Sequence, residues 1–260
     1  MTNADCNQSS TAIDSFVGSL SPQAQSLWAK SGDETGHLSL AQHLIDTACA
    51  AAVVYDKWVS NSIKENLAQN LKLSVEEIRR LYIWLAGLHD LGKGTLTFQG
   101  QLDLKPEFRH LLSRVADAGL PIVMSKLEAG RKSMPHSVSS GLILRNWLER
   151  KGYSRRLANW LSSTVDAHHG VPSGAERDAI NSVLSEYPPE WRAVHNEIID
   201  AMTETVGVHD VLASLKLLRN PLAAEAQILT GLIVMADWIA SNPDAFPMVV
   251  SGTQTERVEG

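Results

Sequence analysis

The sequence predicts an all-α fold, and three observations carry that prediction. No run of alternating β-branched residues is long enough to make a strand. Apolar residues instead recur three to four apart through several segments, the spacing of one helix face. Glycines and prolines fall between those segments, where helices must stop.

Taken in order, residues 1–24 are a polar N-terminal segment. Residues 38–59 have helix-forming composition, with Leu40, Leu44, Ala48 and Ala51 in register. Ser74-Val75-Glu76-Glu77 is a capping-box sequence, in which Ser74 caps the Glu77 amide and Glu77 reaches back. It opens a helix with Ile78, Leu81, Leu85 and Leu88 on one face, running into His89-Asp90 and ending near Gly92 and Gly94. Residues 94–134 carry frequent breakers and predict an irregular excursion. Pro135 suits the first turn of the next helix, with Ser133 near its cap and Gly152 at its end. A further helix spans about 154–166 and breaks at Gly170 and Pro172, and another spans about 191–205. Pro221 starts the most apolar helix, which Pro243 and Pro247 end. Residues 246–260 read as a linker or truncated tail.

Composition bounds the function. Charged residues are 20% of the chain, and 23 Lys and Arg stand against 29 Asp and Glu, a formal net charge of −6. That balance excludes a strongly basic nucleic-acid coat, which needs clustered Lys and Arg to neutralise phosphates. Two cysteines, Cys6 and Cys49, make neither a Cys-rich zinc site nor a disulfide framework, and point to a reducing, cytoplasmic setting. Residues 1–20 lack the layout of a signal peptide. The longest apolar run, residues 231–236, is far short of a membrane span, so a soluble protein without a membrane partner is expected.

The informative residues are histidines and aspartates. Asp237 lies in a helix with apolar neighbours on nearly every side. A carboxylate buried there needs an arginine, a hydrogen-bond network or a metal, because an unpaired buried carboxylate costs several kcal/mol. His89-Asp90 closes an amphipathic helix, His168-His169-Gly170 sits where a helix breaks, His136 follows Pro135, and His43 lies on an Ala-rich helix. Each alone reads as an ordinary polar or core residue. Together, five histidines and two aspartates at helix ends or in apolar helices approach the ligand count of a two-metal phosphodiester site, with one carboxylate bridging the ions. Imidazole with carboxylate suits transition metals better than Ca²⁺ or Mg²⁺. Residues 87–93 also fit G-x-x-x-x-G-K, but Gly94 stands where a P-loop needs Ser or Thr, and the segment leaves a helix rather than a strand, so ATP binding is rejected.

His89-Asp90-Leu91-Gly92-Lys93 resembles the signature of the HD superfamily of metal-dependent phosphohydrolases. Trp28-Ala29-Lys30-Ser31, Gln42-His43-Leu44-Ile45-Asp46-Thr47, Phe98-Gln99, His136-Ser137, His168-His169-Gly170 and residues 236–241 narrow the resemblance to the HD nuclease domain of the CRISPR type I helicase-nuclease, most like the type I-E form. It covers about residues 25–245 and implies an HD-domain helical bundle with a central di-metal site. By resemblance, His43, His89, Asp90 and Asp237 hold one divalent transition-metal ion (Fe, Mn, Co or Ni). His136, His168 and His169 hold a second, with Asp90 bridging as the least replaceable residue and Lys93 near the scissile phosphate. The implied activity is metal-dependent cleavage of single-stranded DNA together with a helicase domain or subunit and a crRNA-guided surveillance complex. No ATPase motif is present, so the chain is expected to be either an excised domain, with residues 246–260 a linker toward a helicase domain, or a stand-alone nuclease subunit.

Candidate strand contacts are Lys126, Arg131, Lys132, Arg145, Arg150, Lys151, Arg155 and Arg156, whose ordinary reading is a solvated surface. The seven tryptophans are expected in the core or in helix packing, with one or two available to stack on bases, Cys49 is expected to be a small buried hydrophobe, and His37, His110, His195 and His209 lack motif context. Two rival readings use the same residues: an HD nucleotide phosphohydrolase acting on dNTPs or cyclic nucleotides, and a docking module without catalysis.

Overall fold

The computed structural model describes residues 15–31, 36–130, 134–169, 177–218 and 223–246. It is a helical bundle, as the apolar spacing predicts. Six helices frame the site: α1 (Leu40–Lys57), α2 (Val75–Ala86), α3 (His136–Arg150), α4 (Arg155–Asp166), α5 (Pro189–Val206) and α6 (Ala223–Ala240). α6 packs along α1 and α4, α4 lies on α3, and α2 sits against α1 and α5. The core between them is closed by Trp84, Trp191, Tyr55 and Tyr82.

Helix starts follow their sequence signals. Ser74 Oγ accepts from the Glu77 amide at 3.2 Å while the Ser74 amide donates to Glu77 Oε2 at 2.6 Å, completing the capping box of α2. Ser39 caps α1 and Ser154 caps α4 in the same way, each accepting from the third amide onward. The excursion over 94–134 contains short helices, at Leu96–Gln99, Arg109–Asp117 and Met124–Gly130. Pro135 takes the N-cap position of α3 without a side-chain cap. Ser133, Gly170, Pro172, Pro221, Cys6 and the tail 247–260 lie outside the described residues.

Four expectations need correction. The fold includes a small antiparallel sheet, β1 (Trp28–Ser31) with β2 (His37–Ser39), pairing Lys30 with Leu38 and Ser31 with His37. Strands this short carry too few residues to show a period in sequence. Two tryptophans are not core residues: Trp58 is 72% exposed and Trp238 is 73% exposed. Within α6 the buried residues are Glu225, Leu229, Ile233, Ala236 and Ala240. By length and composition alone, α6 is long and apolar enough to span a membrane, which a count of residues 231–236 misses. Cys49 is half-buried, packed on the core rather than enclosed in it.

The turn after α2 is the best-anchored segment near the site. Leu91–Gly94 forms one 3₁₀ turn. The Gly92 amide donates to Ser140 Oγ at 2.7 Å, and Ser140 Oγ donates to His136 O at 2.9 Å. A Cβ on Gly92 would collide with the His136 carbonyl and lie 2.6 Å from the Ser140 amide nitrogen. Glycine is needed for this close approach of two backbones. From α5, buried His195 donates its Nε2–H to Gly94 O at 2.8 Å, so a histidine without motif context clamps the end of the turn.

Gly92→Ala should destabilise the fold by at least ~2 kcal/mol, because backbone rather than a flexible side chain must move aside; urea unfolding measures it. Burial pushes the His195 imidazole down to about 4. Unfolded, it takes up a proton as pH falls below about 6.5, so its contribution is complete above that pH and is lost as pH falls toward about 4. The expected loss is of order 3 kcal/mol. His195→Gln should flatten this part of the stability–pH curve, measured by urea titration from pH 7 to pH 4.

Candidate metal centre

Five elements converge on one carboxylate. α1 supplies His43 from its first turn, and the turn after α2 supplies His89 and Asp90. α3 begins with His136, a 3₁₀ turn after α4 (Ala167–His169) carries His168 and His169, and the last turn of α6 supplies Asp237. All seven residues predicted as ligands are therefore brought together. His43 and His89 are fully buried, and Asp90 and His168 nearly so.

The two oxygens of Asp90 face different partners. Oδ2 lies 2.8 Å from His43 Nε2 and 3.2 Å from His89 Nε2. Oδ1 lies 3.4 Å from both His136 Nε2 and His168 Nε2. Asp237 Oδ1 joins the first set, 3.2 Å from His89 Nε2 and 3.8 Å from His43 Nε2. His169 joins the second, its Nε2 2.8 Å from that of His136. Within each of two groups, His43–His89–Asp90–Asp237 and His136–His168–His169, the donor atoms lie within 4.8 Å of one another.

Backbone carbonyls aim the central imidazoles. His89 Nδ1 donates to Ala86 O at 2.8 Å, and His168 Nδ1 donates to Val165 O at 2.6 Å. Each bond turns Nε2 toward Asp90 and favours the tautomer with a free Nε2 lone pair, the usual outer arrangement of metal-binding histidines. His89 Nε2, His168 Nε2 and Asp90 Oδ1 are then buried without a hydrogen bond. Orphaned buried donors and acceptors cost about 1–3 kcal/mol each, so a centre that leaves three side by side suits a ligand that uses all of them. A divalent transition metal fits this mixed imidazole–carboxylate set.

Charge supports the same reading. Burial raises the Asp90 carboxyl, but His89 and Lys93, with His168 and His43 close by, outweigh it and hold the group well below the usual carboxylate range. Asp237 is also held low, against burial, by His89 and His43. Burial lowers the His89 imidazole, yet Asp90 and Asp237 carry it up to about 9, so in the absence of an ion its Nε2 holds a proton that an incoming metal would displace. Burial pushes His43 and His136 down to about 4, and also lowers His169. Two carboxylates thus draw positive charge onto His89, while His43, His136 and His169 are kept neutral and able to donate lone pairs.

Lys93 points into the cluster. Its Nζ is 2.7 Å from Asp90 Oδ2 and 5.8 Å from the Phe98 ring centre. The 3₁₀ turn explains this, because residues three apart eclipse on such a helix. Gln99 holds the turn from outside, donating to Lys93 O at 2.7 Å and Trp28 O at 2.8 Å while accepting from the Trp28 amide at 3.1 Å. Ser140, His195 and the role of Gln99 carry no sequence signal of their own, since their work is done on backbone atoms far away in the chain.

The basic residues offered as strand contacts do not gather here. Arg150 and Lys151 sit at the far end of α3 from His136, about 20 Å away at 1.5 Å per residue. Lys126 pairs with Glu186 and Lys151 with Asp200. Arg155 and Arg156 open α4, at the end remote from His168. Arg145 is held among charges of α3, α4 and the 177–185 helix. Arg131 and Lys132 lie outside the described residues. His110 is exposed, and His209 pairs with Glu204 at the surface.

Comparison with known proteins agrees with the geometry. The family profile described as Cas3, HD domain matches residues 28–246. The CRISPR-associated nuclease/helicase Cas3 of Streptococcus thermophilus is 30% identical over 249 residues, covering 85% of this chain and 25% of that protein. The CRISPR-associated endonuclease/helicase Cas3 of Thermus thermophilus is 31% identical over 233 residues, covering 88% of this chain and 23% of that protein. The chain thus spans about a quarter of the length of these curated relatives. Among solved structures, the Thermus thermophilus Cas3 HD domain in the presence of Ni²⁺ superposes with a TM-score of 0.61 at 25% identity, covering 92% of this chain and 86% of that one. The fold is also that of a chain in a CRISPR RNA-guided surveillance complex, pre-nicking, with a TM-score of 0.62 at 22% identity over 85% of this chain and 25% of that one. The resemblance drawn from the motifs holds, and the chain belongs to the Cas3 HD-domain family.

Proposed function

We propose that the chain is a metal-dependent endonuclease that hydrolyses phosphodiester bonds of single-stranded DNA. The observation that carries this reading is the division of Asp90, whose two oxygens face two separate imidazole sets. One divalent transition-metal ion would be held by His43, His89, Asp90 and Asp237, and a second by His136, His168 and His169 with Asp90 shared. Fe, Mn, Co and Ni suit these donors, and the Thermus HD-domain structure was solved in the presence of Ni²⁺. When bound, such ions would polarise the phosphodiester, lower the pKa of the attacking water and neutralise developing charge.

The chain's own residues do the rest. The buried imidazoles and carboxylates preset the donor positions, so little rearrangement is needed on binding. The Lys93 ammonium, beside Asp90 and at the edge of the cluster, is positioned to stabilise negative phosphoryl oxygens in the transition state. Phe98 and His136, whose rings lie 5.7 Å apart, border the cleft beside the cluster, and His169 is the most exposed of the five histidines. In the cell the domain would act in the cytoplasm, in CRISPR interference, with a helicase that supplies unpaired strand and with a crRNA-guided surveillance complex; the full-length relatives are nuclease/helicases.

The decisive experiment is incubation of circular single-stranded DNA with the purified chain and Mn²⁺, Co²⁺ or Ni²⁺, with chelator as control. A circle has no end, so linear products identify an endonuclease. Release of phosphate or mononucleotides from dNTPs or cyclic nucleotides, with the circle intact, would instead favour the nucleotide phosphohydrolase. Asp90→Ala should abolish cutting and lose both ions by elemental analysis, because it removes a shared ligand; full metal content and activity in this variant would sink the assignment. Lys93→Ala should keep both ions and lower kcat by about 10²–10³-fold, the cost of removing one transition-state charge contact.

A further inference from the structure

In front of the donor cluster lies a cleft of about 600 Å³, bordered by Trp28, Lys30, Lys93, Phe98, His136 and Phe246. That volume lies within the range of sites that seat small organic groups, about 300–1,000 Å³. Its lining is uneven in charge. Two lysines enter it from different elements, Lys30 from β1 and Lys93 from the turn after α2. The two ammonium groups are not equivalent. Lys93 is tied to Asp90 at 2.7 Å. Lys30, half-buried, makes no ion pair and no side-chain hydrogen bond among the described residues.

An ammonium in such a place is unfavourable by itself. Partial burial and the Lys93 charge work against it, and the Asp237, Asp90 and Asp46 carboxylates offset them only in part. Its long side chain is held on a strand whose register with β2 is set by the Lys30–Leu38 pair. An anion arriving in the cleft would give Lys30 a contact ion pair and offset the Lys93 repulsion. The remaining lining says what else the anion carries. Phe98, backed by buried Trp28 at 4.8 Å, and Phe246 are partly exposed aromatic rings bordering the same cleft. Cations beside aromatic rings are the chemistry of unpaired nucleic acid, whose phosphates and base faces are both accessible. In a duplex the base faces are covered by their neighbours.

We infer that this cleft is a nucleotide-binding subsite next to the metal centre: Lys30 grips the phosphate adjoining the scissile one, and the adjoining base lies against Phe98 and Phe246. This rests on reading the chain as a single-strand nuclease, and it deepens that reading by giving Lys30 a role as a substrate-binding residue.

The test is binding rather than cutting, so that it does not depend on catalysis. Fluorescence anisotropy in chelator would follow labelled oligothymidylate, an abasic strand of equal length and a duplex, across a salt series. Lys30→Gln should weaken oligothymidylate binding by about 10-fold and reduce the log–log salt slope by about 0.7, the value for one phosphate contact on a single strand. Lys30→Arg should restore the slope, which a merely structural lysine would not require. Phe98→Leu, with helix content checked by circular dichroism, should weaken oligothymidylate by about 10-fold and leave the abasic strand unchanged. Lys30→Gln binding with the parental affinity and slope would overturn the inference, as would equal losses on duplex and single strand. If Lys30→Gln binds like the parent while circular DNA is still cut, the subsite fails and the nuclease stands. If Lys30 dependence is observed while circular DNA is never cut, the subsite stands and the nuclease reading fails.

Discussion

Asp90 is a carboxylate withdrawn from water at the centre of a helical bundle, and its charge must be answered by groups that only the fold can bring near. Four imidazoles and one ammonium surround its two oxygens within 3.4 Å. An uncompensated buried carboxylate costs several kcal/mol, so the positions of α1, α3, the turn after α4 and the turn after α2 are all tied to this one group. Asp237 adds a second carboxylate beside His89 and makes the demand for positive charge greater.

Around this centre, side chains act on backbone. Ala86 and Val165 carbonyls orient His89 and His168. Ser140 ties the Gly92 amide to the His136 carbonyl, Gln99 ties Lys93 to Trp28, and His195 holds Gly94. The short turn carrying Lys93 is thereby fixed from three sides. Under the proposed function, a Lys93 held this way would need little reorganisation as charge develops, the condition for electrostatic stabilisation of a transition state. The same rigidity explains why one glycine, Gly92, has no space for a methyl group.

α6 serves two purposes on opposite sides. Its inner face carries Ala236 and Asp237 toward α1 and the donor cluster, while Met235, Trp238 and Ile239 are exposed. Apolar neighbours on nearly every side of Asp237 suggested that its carboxylate would not face away from the core. That expectation holds: Asp237 is largely covered and faces His89 and His43, because a helix needs only one covered face to direct a carboxylate inward.

Local features were legible in the order of residues: the all-α class from three-to-four spacing, the capping box at Ser74–Glu77, the helix breaks, and a set of five histidines and two aspartates at helix ends. Those signals can be read because they act between residues a turn apart. Membership of the metal cluster became readable from the order of several motifs together, since no single His or Asp reports its partners. Which oxygen of Asp90 faces which imidazole was settled by packing, as was the place of Lys30, unpaired beside Lys93. Packing also made His195 and Ser140 the anchors of the central turn, and set Arg150 and Lys151 a helix length away from the centre. These are contacts between segments 40 to 150 residues apart in the chain, governed by the need to satisfy buried polar atoms, and no local spacing encodes them.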